Sequence, residues 1–108
     1  MTSDKTPSGT DIADVPMMQV THDHLLNEAV KITQPSDGYR VGSDAVLLAA
    51  SVGTITGRVL DMGAGVGGVC LCLARRLAEL QITAVEKNAD MAALCSEIAV
   101  QNGLQNRI

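Results

Sequence analysis

The stretch Arg58-Val-Leu-Asp-Met-Gly-Ala-Gly-Val-Gly-Gly68 decides the fold of this chain. It opens with a short apolar run, Val59-Leu60, which is typical of a buried parallel strand. Asp61 ends that run, four glycines follow within seven residues, and a helical apolar pattern comes next. A strand, a glycine-rich turn and a helix in this order predict the ligand-binding turn of an open α/β sheet. Glycine suits such a turn because the backbone can then pass close to a ligand.

Two classes of ligand use a turn of this kind. Read as Gly63-x-Gly65-x-x-Gly68, the turn fits the dinucleotide fingerprint formally. Asp61 favours the other class, because a carboxylate at about 4 Å from a pyrophosphate costs roughly 4 kcal/mol at intermediate dielectric. S-adenosylmethionine (SAM) carries an ammonium and a sulfonium instead of phosphates, so the same carboxylate attracts it. SAM is therefore the predicted ligand, and an NAD-type oxidoreductase is the disfavoured alternative.

A second parallel strand is predicted over residues 81–86, after a helix whose apolar face includes Val69, Leu73, Leu77 and Leu80. This strand ends in Glu86, about twenty residues beyond the turn, where an acid binds the two hydroxyls of a ribose. Both SAM and NAD contain that ribose, so the position supports the site without choosing the ligand. A solvated strand end is the alternative interpretation.

The remaining elements follow from capping and turn signals. Asn88 is the expected N-cap of a last helix in which Met91 belongs to the core, and Asn102-Gly103 ends it. Upstream, residues 1–20 lack an apolar period and are predicted to be a disordered tail. Residues 21–27 are predicted to form a short capped turn, and residues 28–34 and 39–41 the two strands of a hairpin. Residues 44–52 follow as a buried helix capped by Ser43.

Composition limits the classes of protein that fit. The chain has 108 residues, 46% of them hydrophobic, and a formal net charge of −4, which suits one globular domain at most. No apolar run approaches the roughly 20 residues that span a bilayer, so no membrane partner is expected. An odd number of cysteines without a disulfide framework is typical of reduced thiols, so a cytoplasmic location is expected. The three cysteines lack metal-ligand spacing and are expected to be buried, reduced thiols; no metal is expected either. A doubly wound domain needs more strands than this length allows, so we expect the N-terminal portion of a longer protein.

Two motifs and one longer string resemble a known family. Asp61-Met-Gly-Ala-Gly-Val-Gly67 resembles the first motif of class I SAM-dependent methyltransferases, and Ala84-Val-Glu-Lys87 resembles the second. Upstream, Gln34-Pro-Ser-Asp-Gly-Tyr-Arg-Val-Gly-Ser-Asp-Ala-Val-Leu-Leu-Ala-Ala50 is similar to bacterial tRNA(Val) adenine-N6 methyltransferases and to their small-domain relatives. The resemblance implies a truncated, Rossmann-like α/β fold, with residues 21–108 forming the N-terminal part of a SAM-binding methyltransferase domain. It also implies tRNA as the substrate of the full-length protein.

The resemblance also implies roles for individual residues. Carried over one by one, the residues at the methionine end of SAM are Asp61, Gly63, Ala64 and Gly65. Glu86 is expected to bind the ribose hydroxyls and Lys87 to lie near the adenine. The residues expected to fold over the cofactor from the N-terminal side are Arg40, Gly42, Ser43 and Asp44. Ordinary helix capping is the alternative for Ser43 and Asp44, and a solvated strand position is the alternative for Arg40.

No catalytic residue can be predicted within these 108 residues. In adenine-N6 enzymes the catalytic signature, Asn/Asp-Pro-Pro-aromatic, follows the fourth strand, and this sequence contains no such string. Three alternatives to a tRNA adenine-N6 methyltransferase therefore stay open. They are a methyltransferase acting on a protein or small molecule, a non-catalytic fragment, and the NAD-binding oxidoreductase.

Overall fold

A computed structural model describes residues 18–38 and 40–108 of the chain. The predicted disordered tail, residues 1–20, lies almost wholly outside the described residues. The described part alternates strands and helices. Its elements are β1 (Val20–Leu25), β2 (Val30–Pro35), α1 (Ser43–Ser51), β3 (Gly57–Met62), α2 (Gly68–Arg76), β4 (Leu80–Val85) and α3 (Ala89–Gln101).

The predicted β-α-β unit is confirmed. β3 and β4 pair in parallel over six residues each, from Gly57 opposite Leu80 to Met62 opposite Val85. α2 connects them, as a parallel pair requires a crossover connection. The carboxyl ends of both strands therefore meet at one edge of the sheet, where the glycine turn after β3 lies beside Glu86 after β4.

One face of this two-stranded sheet is covered and the other is open. Leu80 and Ile82 of β4 are buried in a core that contains most of α2, together with Val30 and Ile32 of β2 and Ile98 of α3. Leu60, Met62 and Val85 point to the opposite face and are 57%, 77% and 45% exposed. The apolar character of β3 thus reflects a strand built to be covered on both faces, of which the described residues cover one.

The hairpin forms with a different partner from the one predicted. β2 pairs antiparallel with β1, from Val20 opposite Pro35 to Leu25 opposite Val30. The predicted returning strand, residues 39–41, is wrong at its described positions: the Val41 N–H is taken by the side chain of Gln34 instead of a strand partner. Tyr39 lies outside the described residues.

The capped turn predicted for residues 21–27 is also wrong, because Thr21 lies inside β1. The actual hairpin turn has Leu26, Asn27 and Glu28 at φ values of 52°, 52° and 73°. Left-handed backbone at three successive non-glycine residues carries no glycine or proline signal, which explains why the sequence did not indicate it.

α1 is buried on one face only, where the sequence predicted burial on every side. Ala45 and Ala49 are buried, whereas Leu47 and Leu48 are 68% and 58% exposed. The N-cap is Gly42, without a side-chain cap, so the prediction that Ser43 caps this helix is wrong. At the other end the cap position is Val52, and the carbonyls of Ala49 and Val52 accept hydrogen bonds from Arg76.

The side chains of Asn102 and Arg107 form hydrogen bonds with backbone groups of segments that are distant in sequence. Asn102 caps α3 and binds Lys31 of β2, donating to its carbonyl at 2.8 Å and accepting from its N–H at 2.9 Å. Arg107 donates to the carbonyls of Leu80, Ala74 and Leu77 at 3.1, 2.9 and 2.6 Å. Arginine thus satisfies the carbonyls left open where α2 ends and β4 begins.

Candidate functional site

A cavity of about 580 Å³ opens at the carboxyl end of the parallel strands. This volume falls within the range of about 300–1,000 Å³ that is usual for sites of small-molecule ligands. The walls come from the glycine turn and α2 start, the segment after β2, the α1 face and the start of α3. The lining residues are Met18, Pro35, Asp37, Val41, Ala45, Gly63, Ala64, Gly65, Val66, Gly68, Val69, Glu86, Asn88, Asp90 and Met91.

Glu86 connects two walls of this cavity. Its Oε1 accepts a hydrogen bond from the N–H of Gly65 at 2.9 Å, and its Oε2 accepts one from the N–H of Asn88 at 2.9 Å. The N–H groups of Asn88 and Gly65 stabilise the charged carboxylate and hold the pKa of Glu86 below its ordinary value of 4.5. A carboxylate has about four acceptor positions, so two remain for a diol.

Asp61 lies at the end of β3, half-buried beneath the turn. Its Oδ2 accepts a hydrogen bond from the Cys70 thiol at 2.9 Å. Burial raises the pKa of the Cys70 thiol, and the neighbouring Asp61 raises it further. Burial likewise raises the pKa of Cys95, with Asp61 and Glu86 acting in the same direction. Cys70, Cys72 and Cys95 are buried free thiols, as predicted. The raised pKa values keep the Cys70 and Cys95 thiols neutral at neutral pH.

Two of the glycines serve packing within the protein. A Cβ on Gly67 would come within 2.8 Å of the Cys95 sulfur, and a Cβ on Gly68 within 2.7 Å of Val41 Cγ1. By contrast, a Cβ on Gly63 or Gly65 would meet no atom within 4 Å. Gly63 and Gly65 therefore face open space on the cavity side, while the next pair lets α2 approach α3 and the segment before α1.

The segment after β2 forms the N-terminal wall. Arg40 donates to the Pro35 carbonyl at 2.8 Å and to Asp23 Oδ2 at 3.1 Å, so its guanidinium is bound on the hairpin. Gln34 bridges the same Asp23 oxygen and the Val41 N–H. These contacts leave Pro35, Asp37 and Val41 lining the cavity.

The charges at the cavity are negative. Asp37, Glu86 and Asp90 line it, and among the residues of 18–38 and 40–108 that form its wall there is no lysine or arginine. The N-terminus of α2 also faces it, through Gly68 and Val69, and no side chain caps that helix start. The site therefore combines carboxylates for a cation with backbone N–H groups for a carboxylate group of the ligand.

The structure brings four of the predicted site residues together on this wall: Gly63, Ala64, Gly65 and Glu86. Six others are absent from the wall formed by the described residues. They are Asp61 in β3, Lys87 after β4, and Arg40, Gly42, Ser43 and Asp44 from the segment before α1 and the start of that helix. Met91, predicted to belong only to the core, is half-buried and lines the cavity. No sequence signal marks this position, because the helical spacing of Met91 is the same whether it lies in the core or at the cavity.

Within the described ranges no group of three or more His, Cys, Asp or Glu residues is placed to hold a metal ion. No helix in the same part of the chain is long and apolar enough to cross a bilayer.

Comparison with known proteins identifies relatives of the domain. Residues 37–108 match the sequence model of the methyltransferase small domain family. Among solved structures, the fold is similar to a SAM-dependent methyltransferase from Agrobacterium tumefaciens, with a TM-score of 0.57 and 15% sequence identity. That match covers 87% of this chain and 32% of the other, so the chain spans about a third of that structure. No curated protein matches the sequence.

Proposed function

This chain belongs to the methyltransferase small domain family, and from that premise we propose that its cavity binds SAM for methyl transfer. The observation that carries this proposal is the position of Glu86. Its carboxylate lies at the cavity wall, fixed by Gly65 and Asn88, with acceptor positions left for the hydroxyls of a ribose.

The charges of the cavity support SAM over a dinucleotide. Asp37, Glu86 and Asp90 suit the sulfonium and ammonium of SAM and oppose a pyrophosphate. The uncapped N-terminus of α2 suits the carboxylate of its methionine part. Asp61 acts from beneath the turn, through its charge, since the Cys70 thiol binds one of its oxygens.

When bound, SAM supplies an electrophilic methyl group. This chain's own residues bind and orient the cofactor: Glu86 holds the ribose and the glycine turn leaves room for the chain that carries the sulfur. Catalysis would depend mainly on holding an acceptor amine in line with the methyl group.

For the acceptor we propose an adenine N6 of tRNA. The support is the upstream string Gly38-Tyr-Arg-Val-Gly-Ser-Asp-Ala-Val-Leu-Leu48, which is similar to tRNA adenine-N6 methyltransferases. An anticodon-loop base suits such an enzyme because it is unstacked at low cost. A cytoplasmic location follows from this proposal. A protein or small-molecule acceptor is the alternative, and the net charge of −4 favours it mildly over RNA.

The test of the cofactor is calorimetric titration of SAM into the full-length protein and its Asp61→Ala and Glu86→Ala variants. We expect both variants to bind SAM about tenfold or more weakly, because each removes a charged partner. Unchanged affinity in both would refute the site. The test of the acceptor is incubation of the same protein with isotopically labelled SAM and unmodified tRNA. Label recovered as N6-methyladenosine supports the proposal, and label found only in protein or small molecules overturns it.

A further inference from the structure

We propose that Asp23, Gln34 and Arg40 are positioning residues that fix Pro35, Asp37 and Val41 as the N-terminal wall of the cofactor cavity, and so raise cofactor affinity without touching the cofactor. The inference rests on the proposed function of the cavity. It assigns to Arg40 a role different from direct cofactor contact.

Gln34 is the buried centre of this network. Its side chain is 3% exposed, and both ends of the amide are used. Nε2 donates to Asp23 Oδ2 at 3.0 Å, and Oε1 accepts from the Val41 N–H at 2.8 Å. Because a buried amide is costly to leave unpaired, this bridge strongly favours one position of Val41 relative to β1.

The exposed side chain of Arg40 also binds this segment to the hairpin. Its guanidinium donates to the carbonyl of Pro35, where the segment begins, and to Asp23 on the neighbouring strand. Asp23 Oδ2 thus accepts hydrogen bonds from the side chains of Gln34 and Arg40 and, at 2.6 Å, from the Thr21 hydroxyl. These hydrogen bonds, that of Thr21 most strongly, lower the pKa of Asp23. The carboxylate therefore stays charged and bonded at neutral pH.

The segment held in this way forms one side of the cavity. Pro35, Asp37 and Val41 line it, opposite Gly63, Gly65 and Glu86. Val41 also packs against Gly68 at the start of α2, where a Cβ would come within 2.7 Å. The network thus fixes the distance between the hairpin side and the glycine side. A wall fixed before binding spares the cofactor the entropy cost of ordering it.

The experiment compares four substitutions in the full-length protein, two in the network and two controls. Arg40→Met and Gln34→Leu remove network donors or acceptors. Arg58→Met is the matched control, because Arg58 is exposed and lies outside the network. Arg107→Met is the stability control, because its guanidinium binds carbonyls remote from the wall. Amide hydrogen exchange at Val41 is measured without cofactor, and the SAM dissociation constant is measured by calorimetry.

In Arg40→Met and Gln34→Leu we expect exchange at Val41 to be at least about tenfold faster and SAM binding to be about tenfold weaker. Arg40→Lys should restore part of both, since one donor returns. Arg58→Met should change neither quantity, and Arg107→Met should lower the melting temperature while SAM affinity stays the same.

Faster exchange at Val41 with unchanged SAM affinity would overturn the proposal, because the network would then serve the hairpin alone. Weaker binding in Arg40→Met but not in Gln34→Leu would overturn it in favour of direct contact by Arg40. A full-length protein with no saturable SAM binding would refute the proposed function and the affinity effect with it. Faster exchange at Val41 in the network variants would still show that the hydrogen bonds hold this segment. Failure of the proposed function is thereby distinguished from failure of the proposed network.

Discussion

The N–H of Gly65 donates to the Glu86 carboxylate at 2.9 Å, so the acid after β4 and the turn after β3 form one hydrogen-bonded unit. The second oxygen of Glu86 binds the N–H of Asn88, which itself caps α3 through its side chain. A single carboxylate therefore fixes both the ligand turn and the helix that closes the cavity.

This relationship predicts a pH dependence. The folded pKa of Glu86 lies below 4.5, so its contribution to stability is fully present above 4.5 and is lost as pH falls through the folded value. The NMR shift of the Gly65 amide should therefore titrate with an apparent pKa below 4.5, and Glu86→Gln should abolish that titration. A midpoint at or above 4.5 would contradict the bonding.

Gly67 has left-handed backbone angles, so adding one methyl group there is predicted to cost much of the free energy of unfolding. Gly67→Ala combines a φ of 96° with a contact of 2.8 Å to Cys95, and should destabilise the protein by about 2–4 kcal/mol. Gly63→Ala, with a φ of 78° and open space, is the matched control and should cost about 1–2 kcal/mol. Urea denaturation measures both. Equal losses would show that the close contact with Cys95 costs no stability. Cys95→Ala should restore part of the stability lost in Gly67→Ala and none of that lost in Gly63→Ala.

Arg107, near the end of the described chain, is predicted to stabilise the fold. Arg107→Met retains much of the aliphatic stem but removes the donors to three carbonyls, and should cost about 2–3 kcal/mol. Thermal unfolding compared with Arg58→Met checks this. A loss no larger than that of the control would mean that water satisfies those carbonyls equally well.

The open sheet face predicts self-association of the 108-residue chain. Leu60 and Met62 expose an apolar surface beside the unpaired edge of β3, within the part of the chain that the structure describes. Leu60→Ser with Met62→Ser should reduce association in sedimentation while changing unfolding free energy by about 0.5 kcal/mol or less per site. Identical sedimentation of the parent and the double variant would contradict this.

The sequence predicted the β-α-β unit well because its signals are local. A short apolar strand, glycines at a turn and a helix cap at Asn88 each act within a few residues, and all three appear in the structure. The position of Glu86 beside the turn also followed, since parallel strands bring their carboxyl ends together. These are the same features on which the proposed cofactor site depends.

The N-terminal wall could not be predicted because its contacts are distant in sequence. Gln34 reaches Asp23 and Val41, and Asn102 reaches Lys31 across 71 positions. The turn at residues 26–28 contains no glycine or proline that would signal it, so the hairpin was predicted with the wrong partner strand. The roles expected for Arg40 and Ser43 by resemblance remain predictions, and neither residue lines the cavity.

The most direct test is calorimetric titration of the full-length protein with SAM and, separately, with NAD⁺. The account predicts saturable binding of SAM at one site, no saturable binding of NAD⁺, and SAM binding that is about tenfold or more weaker in Glu86→Ala. Binding of NAD⁺ in preference to SAM, or SAM binding that Glu86→Ala leaves intact, would contradict the central claim that this cavity is a SAM site.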